Sequence, residues 1–281
     1  MTKLKAALQH AEKQLKGISP TPKLDAEVLM CAVLQVNRTY LIAHDTDELL
    51  QTDIKVFEDY IQQRLTGKPI AYILNQREFW SLNLKVDNST LIPRPDTECL
   101  VEQALLLFDE ESKLQVLELG TGTGAIALAL AKERPNWDIL ATDIHEPTLE
   151  VAKYNIEQHQ ATQIKLLQSN WFENITKQQF DLIISNPPYI ADNDEHLDMG
   201  DVRFEPKRAL TSGPDGLDDL KHIISRAKAY LRPQGVLMFE HGYHQAEALK
   251  QLMKAENYQD IQSISDYSGH NRVIYGRSRL K

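Results

Sequence analysis

The sequence predicts an α/β protein with a mainly parallel sheet, preceded by a small all-helical domain. Three observations support this fold class. Apolar residues recur at helical spacing through the first 65 residues, the spacing changes to period two near Phe79, and short apolar strands then alternate with helices. Such alternation implies crossover connections, which join parallel strands and cover both faces of the sheet. The length of 281 residues is sufficient for two domains.

Residues 1–65 are predicted to form a helical bundle. Helical spacing of apolar residues predicts one helix over Thr2–Leu15, a second around Leu29 and a third from Thr46 to Leu65. Prolines 20 and 22 separate the first two. Because this bundle carries no recognisable chemistry of its own, we expect it to be a substrate-recognition domain.

Residues 66–92 are predicted to form a hairpin connector, and residues 93–281 an α/β domain that begins with a helix over Thr97–Phe108. Seven strands are expected, at Gln115–Leu119, Asp138–Thr142, Gln163–Gln168, Phe180–Ser185, Gly235–Glu240, Ile261–Ser265 and Arg272–Tyr275. Further helices are expected at Ala125–Glu133, Pro147–Gln158, Leu217–Leu231 and His244–Glu256. In such a fold the functional site lies at the carboxyl ends of the strands.

The composition is typical of a globular protein of the cytosol. No apolar run approaches the roughly 18 residues of a membrane span, and the amino terminus lacks the apolar segment of a secretory signal. Cys31 and Cys99 lie in helical apolar patterns and are expected to be buried, reduced thiols. The net charge is −9, all of it in residues 81–281 because charges balance in residues 1–80. We therefore expect neither direct nucleic-acid binding nor a membrane partner.

Three other segments have weaker functional interpretations. The acidic stretch 191–220 is either a solvated loop or a docking rim for a basic partner. In Arg94–Glu98, Asp96 or Thr97 could cap the following helix, or the segment could form a lid over a cofactor. His241 and His244 have no Cys/His cluster around them in the sequence, so we expect surface histidines and no metal site.

Residues 117–125, L-E-L-G-T-G-T-G-A, end one predicted strand and begin a helix. Glycines at such a turn let the backbone bend tightly and approach a ligand that side chains would keep away. Asp143 follows about 20 residues later, at the end of the next strand, where it can accept hydrogen bonds from ribose hydroxyls. The pattern predicts an adenosine cofactor but does not separate NAD from other such cofactors.

Asn186-Pro187-Pro188-Tyr189 follows the fourth predicted strand, beside the glycine-rich loop. A turn after a strand needs no function, but two prolines also fix the backbone and can aim Asn186 and the Pro187 carbonyl at one point. Two acceptors on the N–H bonds of an amide or exocyclic amino group orient its lone pair toward an electrophile. Tyr189 can pack over the planar group. The loop therefore favours chemistry on a planar nitrogen.

Together these motifs resemble those of class I S-adenosylmethionine-dependent methyltransferases that act on a planar nitrogen. Adenine-N6 and cytosine-N4 DNA methyltransferases share the Asn-Pro-Pro-Tyr pattern. Over nearly the whole chain, however, the sequence is similar to the HemK-type protein-(glutamine-N5) methyltransferases of peptide chain release factors. The further segments that carry this resemblance are Gly67–Tyr72, Arg77–Trp80, Leu91–Glu98, Phe204–Pro206 and Ser212–Leu217.

The resemblance implies methyl transfer from S-adenosylmethionine to the glutamine side chain of a Gly-Gly-Gln motif in a release factor. Two other functions remain open, an adenine-N6 nucleic-acid methyltransferase and a non-catalytic protein-binding module with a retained cofactor pocket. The implied cofactor residues are Gly120, Thr121, Gly122, Thr123 and Gly124 for the methionine part, Asp143 for the ribose, Asn170 and Trp171 for the adenine, and Asn186 beside them. The implied substrate-binding residues are Asn186, Pro187, Pro188 and Tyr189, of which Asn186, Pro187 and Tyr189 are catalytic.

Two positions depart from the family pattern. Asn170 stands where we expect an aspartate, but its amide oxygen can still accept a hydrogen bond from the adenine amino group. Asn75 stands where we expect a glycine. Asparagine is one of the few other residues that tolerate a left-handed turn, so the backbone there is expected to be retained.

Overall fold

Residues 2–176 and 178–279 are described by the computed structural model, and the chain divides into two units. A helical unit comprises Met1–Gln76 together with Asp198–Phe204, and a sheet unit comprises Arg77–Leu197 together with Glu205–Lys281. The helical unit extends past the predicted end at residue 65. The predicted connector 66–92 is therefore divided between the two units.

The helical unit is built around one apolar core. Its helices are α1 (Leu4–Leu15), α2 (Pro22–Leu34), α3 (Arg38–Ala43), α4 (Gln51–Leu65) and α5 (Ile70–Leu74). Periodicity predicted α1, α2 and α4, whereas α3 and α5, of 6 and 5 residues, are too short to show a repeating apolar face. The largest core side chains are Leu4, Leu15, Leu29, Met30, Phe57 and Ile61.

Arg64 joins the segment 198–204 to this unit. Its guanidinium is buried, with Nε donating to Asp25 Oδ2 at 2.7 Å and Nη1 to Asp201 Oδ1 at 3.2 Å. Nη1 also donates to the carbonyls of Gly67 and Lys68, so the buried charge is both paired and hydrogen-bonded. Gly67 has φ +89°, a backbone conformation that residues other than glycine rarely adopt, which explains the glycine that opens the Gly67–Tyr72 motif.

The sheet unit confirms the predicted α/β class. A hairpin of β1 (Gln76–Phe79) and β2 (Leu82–Lys85) precedes a seven-stranded sheet in the order β5-β4-β3-β6-β7-β9-β8, in which β9 is antiparallel to both neighbours. The sheet strands are β3 (Gln115–Leu119), β4 (Asp138–Asp143), β5 (Ile164–Gln168), β6 (Phe180–Ser185), β7 (Leu231–Glu240), β8 (Gln259–Ser265) and β9 (Asn271–Arg277). The helices are α6 (Glu98–Leu107), α7 (Ala125–Glu133), α8 (Glu146–Gln158), α9 (Asp218–Ala227) and α10 (Ala246–Ala255).

The prediction was wrong at the start of β7. The helix predicted over Leu217–Leu231 ends at Ala227, and the strand predicted from Gly235 begins at Leu231. Leu231 is paired with Phe180 of β6, so sheet pairing extends the strand back across Pro233. Both cysteines are free, Cys99 buried and Cys31 half-buried. Across the described residues, none of the helices combines the length and apolar character needed to cross a bilayer.

The strand register places the candidate site. Leu119, at the end of β3, is paired with Thr142 of β4 and Ser185 of β6, and Ser185 is paired with Phe239 of β7. Four parallel strands therefore end at the same level, and the residues that follow them meet along one edge of the sheet.

The left-handed conformation of Asn75 gives a test of the fold. Asn75 ends α5 with φ 53° and ψ 30°. Because alanine is disfavoured there, Asn75→Ala should lower the free energy of unfolding by about 1 kcal/mol, whereas Asn75→Gly should stay within about 0.5 kcal/mol of wild type. Urea unfolding of the two variants measures both values, and equal stabilities would contradict the assigned conformation.

Candidate active site

A cavity of about 280 Å³ lies at the carboxyl ends of the central strands, within the sheet unit. Its volume is close to the lower end of the range for small-molecule sites. Most of the predicted site residues line it: Gly120, Thr121, Gly122, Thr123, Asp143, Asn170, Trp171, Asn186 and Pro188. Gly124, Pro187 and Tyr189 are not among the lining residues.

The glycine-rich loop between β3 and α7 adopts a backbone that favours glycine. Gly120, Gly122 and Gly124 have φ of 70°, 56° and 82°. A Cβ on Gly122 would meet no atom within 4 Å, so its backbone conformation rather than crowding favours glycine there. A Cβ on Gly120 would lie 3.8 Å from the Trp171 ring, so the bare loop and the indole form adjoining parts of the cavity wall.

Asp143 ends β4 and is held by two backbone N–H groups. Its Oδ2 accepts from Gly122 N at 3.1 Å and its Oδ1 from His145 N at 3.0 Å. Burial raises the pKa of this carboxyl, while these hydrogen bonds and the Arg208 charge oppose the rise. An ionised carboxylate still has acceptor capacity after these bonds, so it can accept from the two hydroxyls of a ribose.

Trp171 and Asn170 follow β5. Trp171 Nε1 donates to Asp219 Oδ1 at 3.0 Å, which fixes the indole in the cavity wall. Asn170 Nδ2 donates to Glu173 Oε1 at 2.9 Å, and this orientation leaves Oδ1 as an acceptor. Asn170, which replaces the expected aspartate, thus has its amide oxygen available to accept a hydrogen bond, as the sequence predicts.

The tetrapeptide after β6 is anchored on several sides. Asn186 Nδ2 donates to Thr97 Oγ1 at 3.1 Å. The Tyr189 carbonyl accepts from Gln245 Nε2 at 2.9 Å, and a Cβ on Gly216 would lie 2.3 Å from that carbonyl oxygen. Only glycine permits this approach, which explains Gly216 within the Ser212–Leu217 motif.

Two residues that were not predicted as site residues complete the site, Glu240 and Thr97, of which Thr97 was expected only as a cap or as part of a lid. Thr97 Oγ1 donates to Glu240 Oε2 at 2.7 Å, and the Tyr189 hydroxyl donates to Glu240 Oε1 at 3.0 Å. Burial raises the pKa of Glu240, against the opposing effects of both hydroxyls and of Arg272. A carboxylate at the end of the otherwise apolar V-L-M-F run of β7 was the available signal for Glu240, whereas nothing local distinguishes Thr97.

The capping interpretation of Arg94–Glu98 was wrong. No side chain caps α6, and Thr97 contacts Glu240 instead. Arg94 pairs with the buried Glu205, whose Oε2 also accepts from Ile92 N at 3.1 Å. The segment is therefore fixed by carboxylates distant in sequence, and Arg94 and Thr97 line the cavity.

The prediction of surface histidines holds for His244 but was wrong for His241. His241 is buried because β-type pairing continues past β7, with its N–H donating to the Arg272 carbonyl at 2.9 Å. Burial lowers the pKa of its imidazole. Within residues 2–176 and 178–279, no three His, Cys, Asp or Glu side chains are grouped so that they could hold a metal ion.

Glu118 is a fully buried carboxyl beneath the glycine-rich loop. Its Oε2 accepts from Thr121 Oγ1 at 2.7 Å. Loss of hydration raises its pKa to about 8, although the Thr121 hydroxyl and the Ala127 N–H oppose the rise. The carboxyl therefore retains its proton well above the pH at which an exposed glutamate ionises.

Comparison with known families covers both units. Residues 6–74 match the PrmC N-terminal domain, and residues 97–213 match the methyltransferase small domain. A methyltransferase structure from Pyrococcus furiosus has a TM-score of 0.57 and 19% identity, covering 79% of this chain and 100% of that chain. At this identity the likeness concerns the fold alone.

Similarity to curated proteins extends over nearly the full chain. The release factor glutamine methyltransferase of Coxiella burnetii is 43% identical over 277 residues, which are 99% of this chain and 99% of that protein. The release factor glutamine methyltransferase of Shewanella oneidensis is 47% identical over 271 residues, 96% of this chain and 94% of that protein.

The pKa of Glu118 predicts how stability depends on pH. The unfolded carboxyl ionises near pH 4.5 and the folded one near pH 8, so the folded chain binds more protons between these values and loses stability as the pH rises. Glu118→Gln keeps an acceptor for Thr121 and cannot ionise. Its stability relative to wild type should therefore rise by roughly 2–5 kcal/mol across this window and then level off.

Urea unfolding of both proteins from about pH 4 to about pH 9 measures the difference. A stability difference that does not change with pH would contradict the raised pKa of Glu118.

Proposed function

The chain belongs to the family of release factor glutamine methyltransferases, and we propose that it transfers a methyl group from S-adenosylmethionine to the glutamine side-chain nitrogen of a Gly-Gly-Gln motif in a release factor. The observation that best supports the proposal is that Asn186 and the glycine-rich loop line the same cavity. The similarity of the chain to such enzymes extends over both units. We retain the cytosol as the proposed compartment.

The cavity residues fit this cofactor. The cavity-lining backbone of Gly120 and Gly122 would adjoin the methionine part, the Asp143 carboxylate would accept from the ribose hydroxyls, and Trp171 would lie against the adenine. Asn170 Oδ1 supplies an acceptor for the adenine amino group. When bound, the sulfonium of S-adenosylmethionine supplies an electrophilic methyl group.

The residues of the tetrapeptide position the nucleophile. An amide nitrogen is a poor nucleophile because its lone pair is delocalised, so it must be oriented before it reacts. The Asn186 amide oxygen and the Pro187 carbonyl would each accept one N–H of the substrate glutamine, and Tyr189 would fix the tilt of the amide plane. Once the nitrogen is alkylated its proton leaves readily, so positioning supplies most of the rate enhancement.

The helical unit is proposed to recognise the intact release factor. Choosing one folded protein among many exposed glutamines requires contacts remote from the reacting atom. This unit matches the PrmC N-terminal domain over residues 6–74, and it exposes large apolar side chains such as Ile42, which is 79% exposed. Ile42 is therefore the position at which we propose to test a contact with the release factor.

Asn186→Ala should impair turnover, whereas Asp143→Ala should impair cofactor binding. Removing Asn186 should reduce turnover on a release factor by about a hundredfold or more and leave the affinity for S-adenosylmethionine within a few fold. Removing Asp143 should instead weaken cofactor binding by roughly ten- to a thousandfold, because charge-assisted hydrogen bonds to the ribose are lost.

Methyl-transfer kinetics and calorimetric titration measure the two effects, and duplex DNA is assayed as an alternative acceptor. Methylation of DNA in place of the release factor would favour the adenine-N6 function. Wild-type cofactor binding without methylation of either acceptor would favour a non-catalytic binding module.

The recognition role is tested with matched surface variants. Ile42→Ser should lower kcat/KM for an intact release factor by roughly fivefold and leave that for a short Gly-Gly-Gln peptide unchanged. Leu106→Ser is the control, since Leu106 is also 79% exposed but belongs to the sheet unit. Equal losses for the two variants, or on the two substrates, would remove this role from Ile42.

A further inference from the structure

Asn186 begins a series of hydrogen-bonded side chains that continues through Thr97 to Glu240 in the interior of the sheet unit. Its Nδ2 donates to Thr97 Oγ1 at 3.1 Å, and Thr97 Oγ1 donates to Glu240 Oε2 at 2.7 Å. The inner two residues are excluded from solvent, Thr97 being 4% and Glu240 1% exposed. The other oxygen of the Glu240 carboxyl accepts from the Tyr189 hydroxyl at 3.0 Å. Glu240 therefore contacts the last residue of the tetrapeptide directly and the first, Asn186, through Thr97.

The single hydroxyl proton of Thr97 determines which way the Asn186 amide faces. Both oxygens of the Glu240 carboxyl act as acceptors, one for the Thr97 hydroxyl and one for the Tyr189 hydroxyl, and each hydroxyl has a single proton to give. Thr97 gives that proton to Glu240, so toward Asn186 it can only accept. Only the Nδ2 end of the amide can satisfy it, and Oδ1 is therefore directed to the other side.

We propose that Thr97 and Glu240 are positioning residues for methyl transfer, which hold the Asn186 amide with its oxygen toward the substrate nitrogen. This inference rests on the proposed function. A glutamine amide presents two N–H donors, so Asn186 must offer it an acceptor. With the amide reversed, Nδ2 would face the substrate NH₂, donor against donor, and one of the two bonds that orient the lone pair would be lost.

The strand register makes this arrangement possible. Ser185 and Phe239 are paired across β6 and β7, and Asn186 and Glu240 are the residues that follow them. The carboxylate thus reaches the level of the substrate-binding loop without lining the cavity itself. Thr97, which does line it, lies between the two side chains.

Three variants at two positions test the assignment by kinetics. Thr97→Val removes the hydroxyl at nearly constant volume and should reduce kcat on a release factor by about ten- to a hundredfold, with cofactor affinity within about twofold of wild type. Thr97→Ser keeps the hydroxyl and should stay within about threefold of wild type. Thr142→Val, which loses another buried threonine hydroxyl bond at this sheet edge, controls for a purely structural loss and should leave kcat near wild type.

A double-mutant cycle asks whether Thr97 acts through Asn186. In an Asn186→Ala background, Thr97→Val should lower kcat by less than about twofold further, because no amide remains to be oriented. If the full loss recurs in that background, or if Thr97→Val alone keeps wild-type kcat, the positioning role is overturned.

A second readout does not depend on turnover and so separates this inference from the proposed function. In ¹⁵N-labelled protein, the Asn186 side-chain NH₂ signal is identified by its loss in Asn186→Ala. One of its two protons should exchange slowly with solvent in wild type and in Thr97→Ser but rapidly in Thr97→Val. Exchange that is equal in all three proteins would overturn the orienting hydrogen bond, whether or not a release factor is methylated.

Discussion

The in-register parallel pairing of β3, β6 and β7 is the constraint on which the site depends. Because Leu119 pairs with Ser185 and Ser185 with Phe239, the three strands end at one level. The glycine-rich loop, Asn186 and Glu240 are simply the residues that come next along the chain. A shift of one residue in any pairing would turn these side chains to the other face of the sheet and separate cofactor-binding from substrate-binding groups.

Glu118 and Glu240 are two buried carboxyl groups at this sheet edge, and loss of hydration raises the pKa of both. Their hydrogen-bond partners differ. Glu118 accepts from the Thr121 hydroxyl, and burial together with the nearby Asp143 charge raises its pKa to about 8. Glu240 receives two hydroxyl donors and lies near the Arg272 guanidinium. The two hydroxyl donors on Glu240 belong to residues in contact with, or part of, the Asn186–Tyr189 loop, which fits a role for this carboxyl in positioning them.

Local patterns in the sequence predicted most of the fold and part of the site. Apolar periodicity is visible over a helix of 12 residues such as α1, but not over α3 or α5. The loop motifs gave the cavity residues because each follows its own strand. The pairing of Thr97 with Glu240 was not predicted because the two residues meet only in the folded chain, 143 positions apart in sequence. Asp201 joined the helical unit for the same reason, through the buried guanidinium of Arg64.

Methylation of the side-chain nitrogen of one glutamine in a release factor is the activity that this site is proposed to perform. Fragmentation mass spectrometry of a release factor, after incubation with this protein and S-adenosylmethionine, tests it most directly. We expect the mass of one added methyl group in place of hydrogen, confined to the Gly-Gly-Gln glutamine and formed about a hundredfold or more slowly when Asn186→Ala replaces the wild type. A methyl group on another residue of the release factor, or an unmodified release factor, would rule out this activity.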